Sequence, residues 1–216
     1  MGTTLNDTPS ANRLHIGVFG KTNSGKSSLI NAFTGQEVSI SSEVAGTTTD
    51  PVYKAMEIHP LGACTIIDTA GFDDASELGA KRVEKTKLAA EKTDVAVIVF
   101  SAEEDHFAQE MKWYHFFKEK NTPVLLIINK ADLGDAKALQ EFLVKETNEQ
   151  PLIVSAAKNE GVDRIKEALA RKVPENFGER LITGTLVGED DLVLLVMPQD
   201  IQAPKGRLIL PQVQTL

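Results

Sequence analysis

Cysteine is almost missing from this chain: Cys64 stands alone among 216 residues. A lone thiol closes no internal disulfide, and no second cysteine joins it to hold an iron–sulfur centre or a structural zinc ion. Positive charge is also in short supply, with 23 Lys+Arg against 31 Asp+Glu and a formal net charge of −8. Binding nucleic acid through a broad basic face works by displacing counterions, so nucleic acid is not an expected partner. Long apolar runs are lacking too. Val95–Phe100 and Val124–Ile128 are far too short to span a bilayer, and no membrane is expected. The opening MGTTLNDTPSANR has no basic stretch followed by an apolar core, as a secretory signal would, and no Ser or Thr where a myristoylation motif needs one. Residues 1–13 are expected to be a flexible leader, and the expected compartment is the cytoplasm. His15, His59, His106 and His115 show no ligand spacing.

What is present reads as a folded α/β protein, with 42% hydrophobic and 25% charged residues. From Leu14 to about Lys172, strand-like and helix-like segments alternate. Strands are predicted at Leu14–Phe19, Val52–His59, Ala63–Ile67, Val95–Phe100, Val124–Ile128 and Leu152–Val154. Pro60-Leu61-Gly62 supplies a hairpin turn between the second and third. Helices are predicted at Lys26–Phe33, 77–91, 106–120, 135–147 and Val162–Lys172, with Phe107, Met111 and Tyr114 on one face of the third. The alternation implies a three-layer α/β/α fold around a mostly parallel six-stranded sheet. Residues 14–173 form this domain. After Pro174 and Gly178 the character changes to short strand-like runs. Residues 174–216 are too few to bury a core of their own and are expected to begin a second domain that is cut off at Leu216.

The first strand runs into Gly20-Lys21-Thr22-Asn23-Ser24-Gly25-Lys26-Ser27, the pattern G-x-x-x-x-G-K-S, followed by Ser28. Its glycines let backbone N–H groups turn inward around phosphate oxygens, and the helix that follows aims its positive end at the same place. Lys26 is expected to reach the β- and γ-phosphates and Ser27 to ligate Mg2+. Asp68-Thr69-Ala70-Gly71 closes the third strand, which places Asp68 in the Mg2+ shell and the Gly71 N–H on the γ-phosphate. That bond is lost on hydrolysis, so the loop after Gly71 suits a switch. Thr47, Thr48 and Thr49 all lie between these motifs, and Thr48 is taken as the threonine on Mg2+ and the γ-phosphate.

Asn129-Lys130-Ala131-Asp132 follows the fifth strand and selects the base. The Asp132 carboxylate suits the N1–H and N2–H donors of guanine, which adenine lacks there. The Lys130 stem is expected over the base. Ser155-Ala156-Ala157 follows the last strand and would bring the Ala156 N–H to the guanine O6. GTP and GDP are thus the expected ligands.

In this order the motifs resemble the translation-factor-like branch of small GTPases, and within it the MnmE/TrmE, Era and Der group, over about residues 14–172. The resemblance implies GTP hydrolysis to GDP and phosphate. Phe72 stands after Gly71 where Ras-like members carry a water-orienting glutamine, and a phenyl ring orients no water. Asn23 matches the loop asparagine that helps bind K+ in MnmE-like proteins, and Glu77 is a candidate for the water-positioning acid. The segment Met197–Gln212 is similar to the one that follows the GTPase domain in the HydF family of FeFe-hydrogenase maturation scaffolds. That resemblance implies a switch domain for hydrogenase metal-cluster assembly, homodimerisation, and the radical-SAM maturases HydE and HydG and the hydrogenase as partners. It also implies that this piece, lacking the family's cysteine- and histidine-rich domain, holds no iron–sulfur cluster. A tRNA- or ribosome-directed GTPase and a GTP-loaded interaction module with little hydrolysis are the alternatives.

Overall fold

Strand burial follows from strand position. In a computed structural model that describes residues 13–35, 51–69, 85–174 and 177, six strands form one sheet in the order β2-β3-β1-β4-β5-β6. They are β1 (Leu14–Phe19), β2 (Val52–Ile58), β3 (Gly62–Asp68), β4 (Val95–Ser101), β5 (Val124–Asn129) and β6 (Leu152–Ile153). The chain divides into two compact units, Met1–Pro174 and Glu175–Leu216, and all of these elements belong to the first. Every residue of β4 and β5 is buried, as a central strand covered on both faces requires, and both are continuous apolar runs. The edge strand β2 mixes exposed, half-buried and buried positions. All pairings are parallel except that of β2 with β3, which is antiparallel through the turn at His59–Leu61.

The helices are α1 (Lys26–Thr34), α2 (described over residues 85–91), α3 (Ala108–Glu119), α4 (Ala136–Thr147) and α5 (Asp163–Lys172). Parallel strands need such crossovers, and the helices supply the two outer layers. Ala96, Ile98 and Phe100 of β4 join one core cluster with Trp113, Tyr114 and Phe117 of α3 and Leu139 and Leu143 of α4. The alternate residues Val95, Val97 and Val99 point to the other side and are equally buried. Phe19 anchors the first cluster, with its ring 5.4 Å from Trp113 and 4.8 Å from Phe117. Such aromatic pairs add about 0.5–1.5 kcal/mol each beyond their area burial.

The predicted elements whose bounds fall on described residues are found within a residue or two of expectation, which is ordinary fraying. Two differences have physical causes. The buried face of α3 is Glu110, Trp113, Tyr114 and Phe117, while Phe107 caps the helix and is only half-buried. The expected face holds at its margin, with Tyr114 in the core cluster and Phe107 and Met111 packed against it, and it extends to Trp113 and Phe117. β6 stops at Ile153 because the next residues turn away: Ser155 and Glu160 exchange backbone hydrogen bonds at 3.0 Å and close a loop. The leader, the start of the predicted 77–91 helix and nearly all of residues 175–216 lie outside the described residues.

Candidate functional site

β1, β3, β4 and β5 are parallel, so their carboxyl ends open on one edge of the sheet, and the motifs that fall on described residues lie at that edge. The loop after β1 needs two left-handed residues. Asn23 takes φ 62° and Gly25 φ 86°; asparagine tolerates that region better than most side chains. Gly20 is required by close approach, because a Cβ there would lie 2.6 Å from the Val99 carbonyl oxygen. Gly25 then leads into the first turn of α1.

Lys26 is buried and folds back over its own loop. Its Nζ donates to the carbonyls of Gly20 at 2.9 Å and Lys21 at 2.7 Å. These bonds satisfy an ammonium that would otherwise be costly to bury, and they hold it over the hollow of the loop. The Ser27 hydroxyl donates to Asp68 Oδ2 at 2.8 Å. A hydroxyl from the first turn of α1 and a carboxylate from the end of β3 thus meet beside the loop. Both are hard oxygen ligands, the donor type that Mg2+ takes alongside water and phosphate oxygens, so these residues fit that ion. Thr69 locks the end of β3 to β1, its hydroxyl donating to the Val18 carbonyl at 2.7 Å. Ser28 is exposed on α1.

At the end of β5, Asn129 is buried and points back into the phosphate loop. Its Nδ2 donates to the Ser24 carbonyl at 3.0 Å, and its Oδ1 accepts the Ala156 N–H at 3.1 Å. Lys130 takes φ 59°, which sends the chain sharply on toward Asp132. Its Nζ pairs with Glu103 Oε2 at 2.5 Å. Asp132 Oδ1 is buried without a hydrogen-bond partner. The Ser155 hydroxyl hydrogen-bonds the same carboxyl and, with Lys158 Nζ at 3.8 Å, holds it below the usual carboxylate range. A buried, ionised acceptor with a vacant lone pair is what the two N–H groups of a guanine edge require. Ser155 is buried and its Oγ accepts the Lys158 N–H at 3.2 Å, which fixes the loop that carries Ala156 and the exposed Ala157.

The structure therefore brings Ser24, Gly25, Lys26, Ser27, Asp68, Asn129, Lys130, Asp132, Ser155 and Ala156 to one edge. Thr48, Gly71 and Glu77 lie outside the described residues. Three acids at this edge were not singled out from sequence. Glu103 holds Lys130, Glu104 lies 3.5 Å from Lys21, and Glu110 is buried in the first turn of α3. Their signal was position: two acids directly follow a strand end at the functional edge.

The sequence model of the 50S ribosome-binding GTPase family matches residues 15–130. The chain belongs to this family. A second match, to the hydrogen maturase F dimerization domain, covers residues 182–216. GTPase Der of Wolinella succinogenes is 34% identical over 182 residues, which is 80% of this chain and 38% of that protein. The tRNA modification GTPase MnmE of Aquifex aeolicus is 30% identical over 165 residues, 76% of this chain and 35% of the relative. The chain thus spans well under half the length of these curated relatives. Among solved structures, a variant of Aquifex aeolicus Era bound to GDP·AlF4− aligns with TM-score 0.62 and 31% identity, over 74% of this chain and 57% of that one. The G domain of the T. maritima FeoB iron transporter, at 19% identity and TM-score 0.56 over 75% of this chain and 99% of that one, shares the fold. The Era–FeoB comparison and the sheet order describe a P-loop GTPase fold, and the sequence matches make this a HydF-like GTPase of the MnmE/Era branch. Among the described residues no helix is long and apolar enough to cross a membrane.

Proposed function

We propose that this chain is the GTP-hydrolysing switch of a HydF-like scaffold for assembling the metal cluster of an FeFe-hydrogenase. One observation carries the reading: a match to the hydrogen maturase F dimerization domain over residues 182–216, directly after a GTPase domain. In this reading residues 14–173 are the nucleotide domain and residues 174–216 begin a dimerisation domain. The chain works as a cytoplasmic homodimer, and its partners are the radical-SAM maturases HydE and HydG and the hydrogenase.

At the nucleotide, the loop from Asn23 to Ser28 wraps the phosphates. Lys26 leaves the carbonyls of Gly20 and Lys21, to which it now donates, and turns its three N–H donors to the β- and γ-phosphates. Ser27 and Asp68 hold Mg2+, which spreads the charge developing on the phosphate oxygens when bound. Thr48 and the Gly71 N–H sense the γ-phosphate. Glu77 positions the attacking water in place of a glutamine that Phe72 cannot replace. Asn23, already in the left-handed conformation, offers its side-chain oxygen to K+ beside the loop, where a monovalent cation would do the work of an arginine finger. Asp132, Lys130 and the Ser155-Ala156-Ala157 loop receive the guanine.

The test has two parts. GTP turnover is measured in KCl and in NaCl at equal ionic strength; faster turnover in KCl is expected, and equal rates would remove the cation role. Capture of purified radical-SAM maturases is then compared with filter binding of tRNA and ribosomal RNA at stated salt. Capture of a maturase supports the scaffold reading. RNA binding without it would favour the RNA-directed reading, since Era has been solved with a segment of 16S ribosomal RNA.

A further inference from the structure

The loop after β4, the start of α3 and the first half of α4 enclose a groove of about 500 Å3, and none of the residues assigned to the nucleotide lines it. Its apolar lining is Phe107 and Met111 on one side and Leu139 and Phe142 on the other. The Phe107 and Phe142 rings lie 6.1 Å apart, and Phe142 is 41% exposed. A single exposed apolar residue is ordinary, but two rings in a hollow the size of a ligand cleft are not. The rest of the lining is acidic: Glu104, Asp105 and Asp135 contribute to it, and no Lys or Arg does. Neighbouring Glu103 pairs with Lys130, and Glu104 lies 3.5 Å from Lys21. Among the described residues no Lys or Arg pairs with Asp105 or Asp135. Asp135 caps α4, accepting the Ala138 N–H at 3.0 Å, which leaves its charge in place.

We propose that this groove docks a partner protein, through a segment that carries large apolar side chains flanked by Lys or Arg. Charge complementarity selects the occupant. Acids around an apolar hollow repel nucleic acid and anionic membrane surfaces, whose phosphates bear the same sign. A second copy joined groove to groove by a two-fold axis would set Asp105 and Asp135 against the same acids. A cationic segment meets opposite charge instead, and its apolar residues take Phe107 and Phe142 out of water. The acidic loop is already fastened, because Lys21 Nζ donates to the His106 carbonyl beside Asp105. A surface held in place loses little freedom on binding. A hollow between two helices suits a helical segment, with anchors at i, i+3 and i+4. The proposal goes beyond the nucleotide reading and does not rest on it.

The probe is a fluorescein-labelled peptide of about 15 residues, with Leu at i, i+3, i+4 and i+7 and Lys at the flanking positions. Its anisotropy is followed with the full chain, without added nucleotide, and amide chemical shifts of the protein locate where it sits. Wild type is expected to bind it, with the shifts gathered around Phe107, Asp135 and Phe142. A version with Glu in place of Lys is expected to bind about tenfold or more weakly. Phe142→Ala and Asp105→Lys are each expected to weaken binding of the Lys peptide about tenfold. Both side chains are exposed, so both variants should melt close to wild type. Should Phe142→Ala fail to fold, Asp105→Lys carries the test. No binding, equal binding of the Lys and Glu peptides, shifts gathered elsewhere, or affinities within about twofold of wild type in the folded variants would overturn the proposal. So would nuclear Overhauser contacts from Phe142 to a remote segment of the same chain, or groove shifts that change when the free protein is diluted, since the groove is then filled by this chain itself.

Discussion

Asn129 holds the carbonyl of Ser24 at 3.0 Å across 105 residues of chain, and the same amide group accepts the Ala156 N–H at 3.1 Å. One buried side chain therefore ties the phosphate loop to the two loops that the proposed reading places around the base. Asn129→Ala leaves the Ser24 carbonyl and the Ala156 amide without partners at a protein-lined edge. Each lost bond costs about 1 kcal/mol or more, so GDP affinity measured by calorimetry is expected to fall about 10- to 100-fold. Asn129→Asp keeps the acceptor but turns a carboxylate oxygen on the Ser24 carbonyl, and should lose at least as much. An affinity within twofold of wild type would make the bridge incidental.

In the proposed guanine site Asp132 supplies an acceptor pair, so its replacement should change which base binds. Asp132→Asn puts an N–H2 where guanine also presents a donor. GTP affinity is expected to fall by about 10³-fold or more, the scale on which sites built around hydrogen bonds reject a mismatched partner. Xanthine nucleotides carry a carbonyl in place of the guanine amino group and are expected to gain. Competition against fluorescent GDP checks both. The Ser155 hydrogen bond and Lys158 keep the wild-type carboxyl below the usual range. It therefore stays ionised through mildly acidic solution, and GTP affinity should show no loss assignable to this group between pH 8 and pH 5. Unchanged GTP affinity in Asp132→Asn would take the residue off the base.

These two residues also show why sequence went so far here and then stopped. The phosphate loop and Asn129–Asp132 were legible because their geometry demands particular residues: glycine at a left-handed Gly25, and a carboxylate at Asp132. The central strands were legible because a strand buried on both faces must be a continuous apolar run, as β4 is. Glu110 was not, because a glutamate at helical spacing reads as a solvated position until the fold closes over it. Nor was the bridging role of Asn129, since its partner Ser24 lies in another motif and only the parallel pairing of β1, β4 and β5 brings the two together. The α3 face was legible in part: Tyr114 lies in the core cluster and Phe107 and Met111 pack against it, while Trp113 and Phe117, the rings beside Phe19, were not singled out.

Glu149 joins two helices that are distant in sequence. Its carboxylate accepts Lys118 of α3 at 3.1 Å and Lys172 of α5 at 2.7 Å. Burial alone would raise its pKa, but hydrogen bonds from Lys172 and Lys118 and their charges bring it below the usual value. A folded-state pKa below the unfolded one gives stability that is fully present above the unfolded value and is lost as pH falls through the folded one. Glu149→Gln is expected to cost about 1 kcal/mol at pH 7, with both lysines solvent-screened. The difference between variant and wild type should shrink on acidification, as pH falls below the unfolded value and through the lowered folded one. Urea titrations at pH 7, 5 and 3 measure it. A difference that does not depend on pH would mean packing, not charge, joins these helices.

Cys64 is fully buried on β3, and burial pushes its pKa to about 12. At pH 8 only about one thiol in ten thousand is then ionised, and the thiolate is the reactive form. Native protein is expected to react with a disulfide reagent at least ~100-fold more slowly than the same chain in urea. Cys64→Ser is expected to leave GTP turnover unchanged and to lower stability by about 1–3 kcal/mol, the cost of a hydroxyl in an apolar setting. Fast labelling of native protein would show that β3 opens readily.

Gly25 and Gly35 bracket α1 with similar positive φ, 86° and 75°, yet they should respond differently to a methyl group. At Gly35 an added Cβ meets nothing within 4 Å. Gly35→Ala then pays only for its backbone, φ 75° with ψ 156°, a region essentially reserved for glycine, about 1–3 kcal/mol. At Gly25 the same atom would lie 2.3 Å from Asn129 Nδ2. A free side chain could turn aside, but this amide is bonded on one side to Ser24 and on the other to the Ala156 N–H, so moving it breaks the bridge. Both variants are expected to melt a few degrees lower, whereas only Gly25→Ala should lose GDP binding, by about 100-fold or more. Equal affinities in the two variants would mean that the nucleotide site tolerates a displaced Asn129, and the bridge between phosphate loop and base loops would then be a consequence of folding, not a condition of binding.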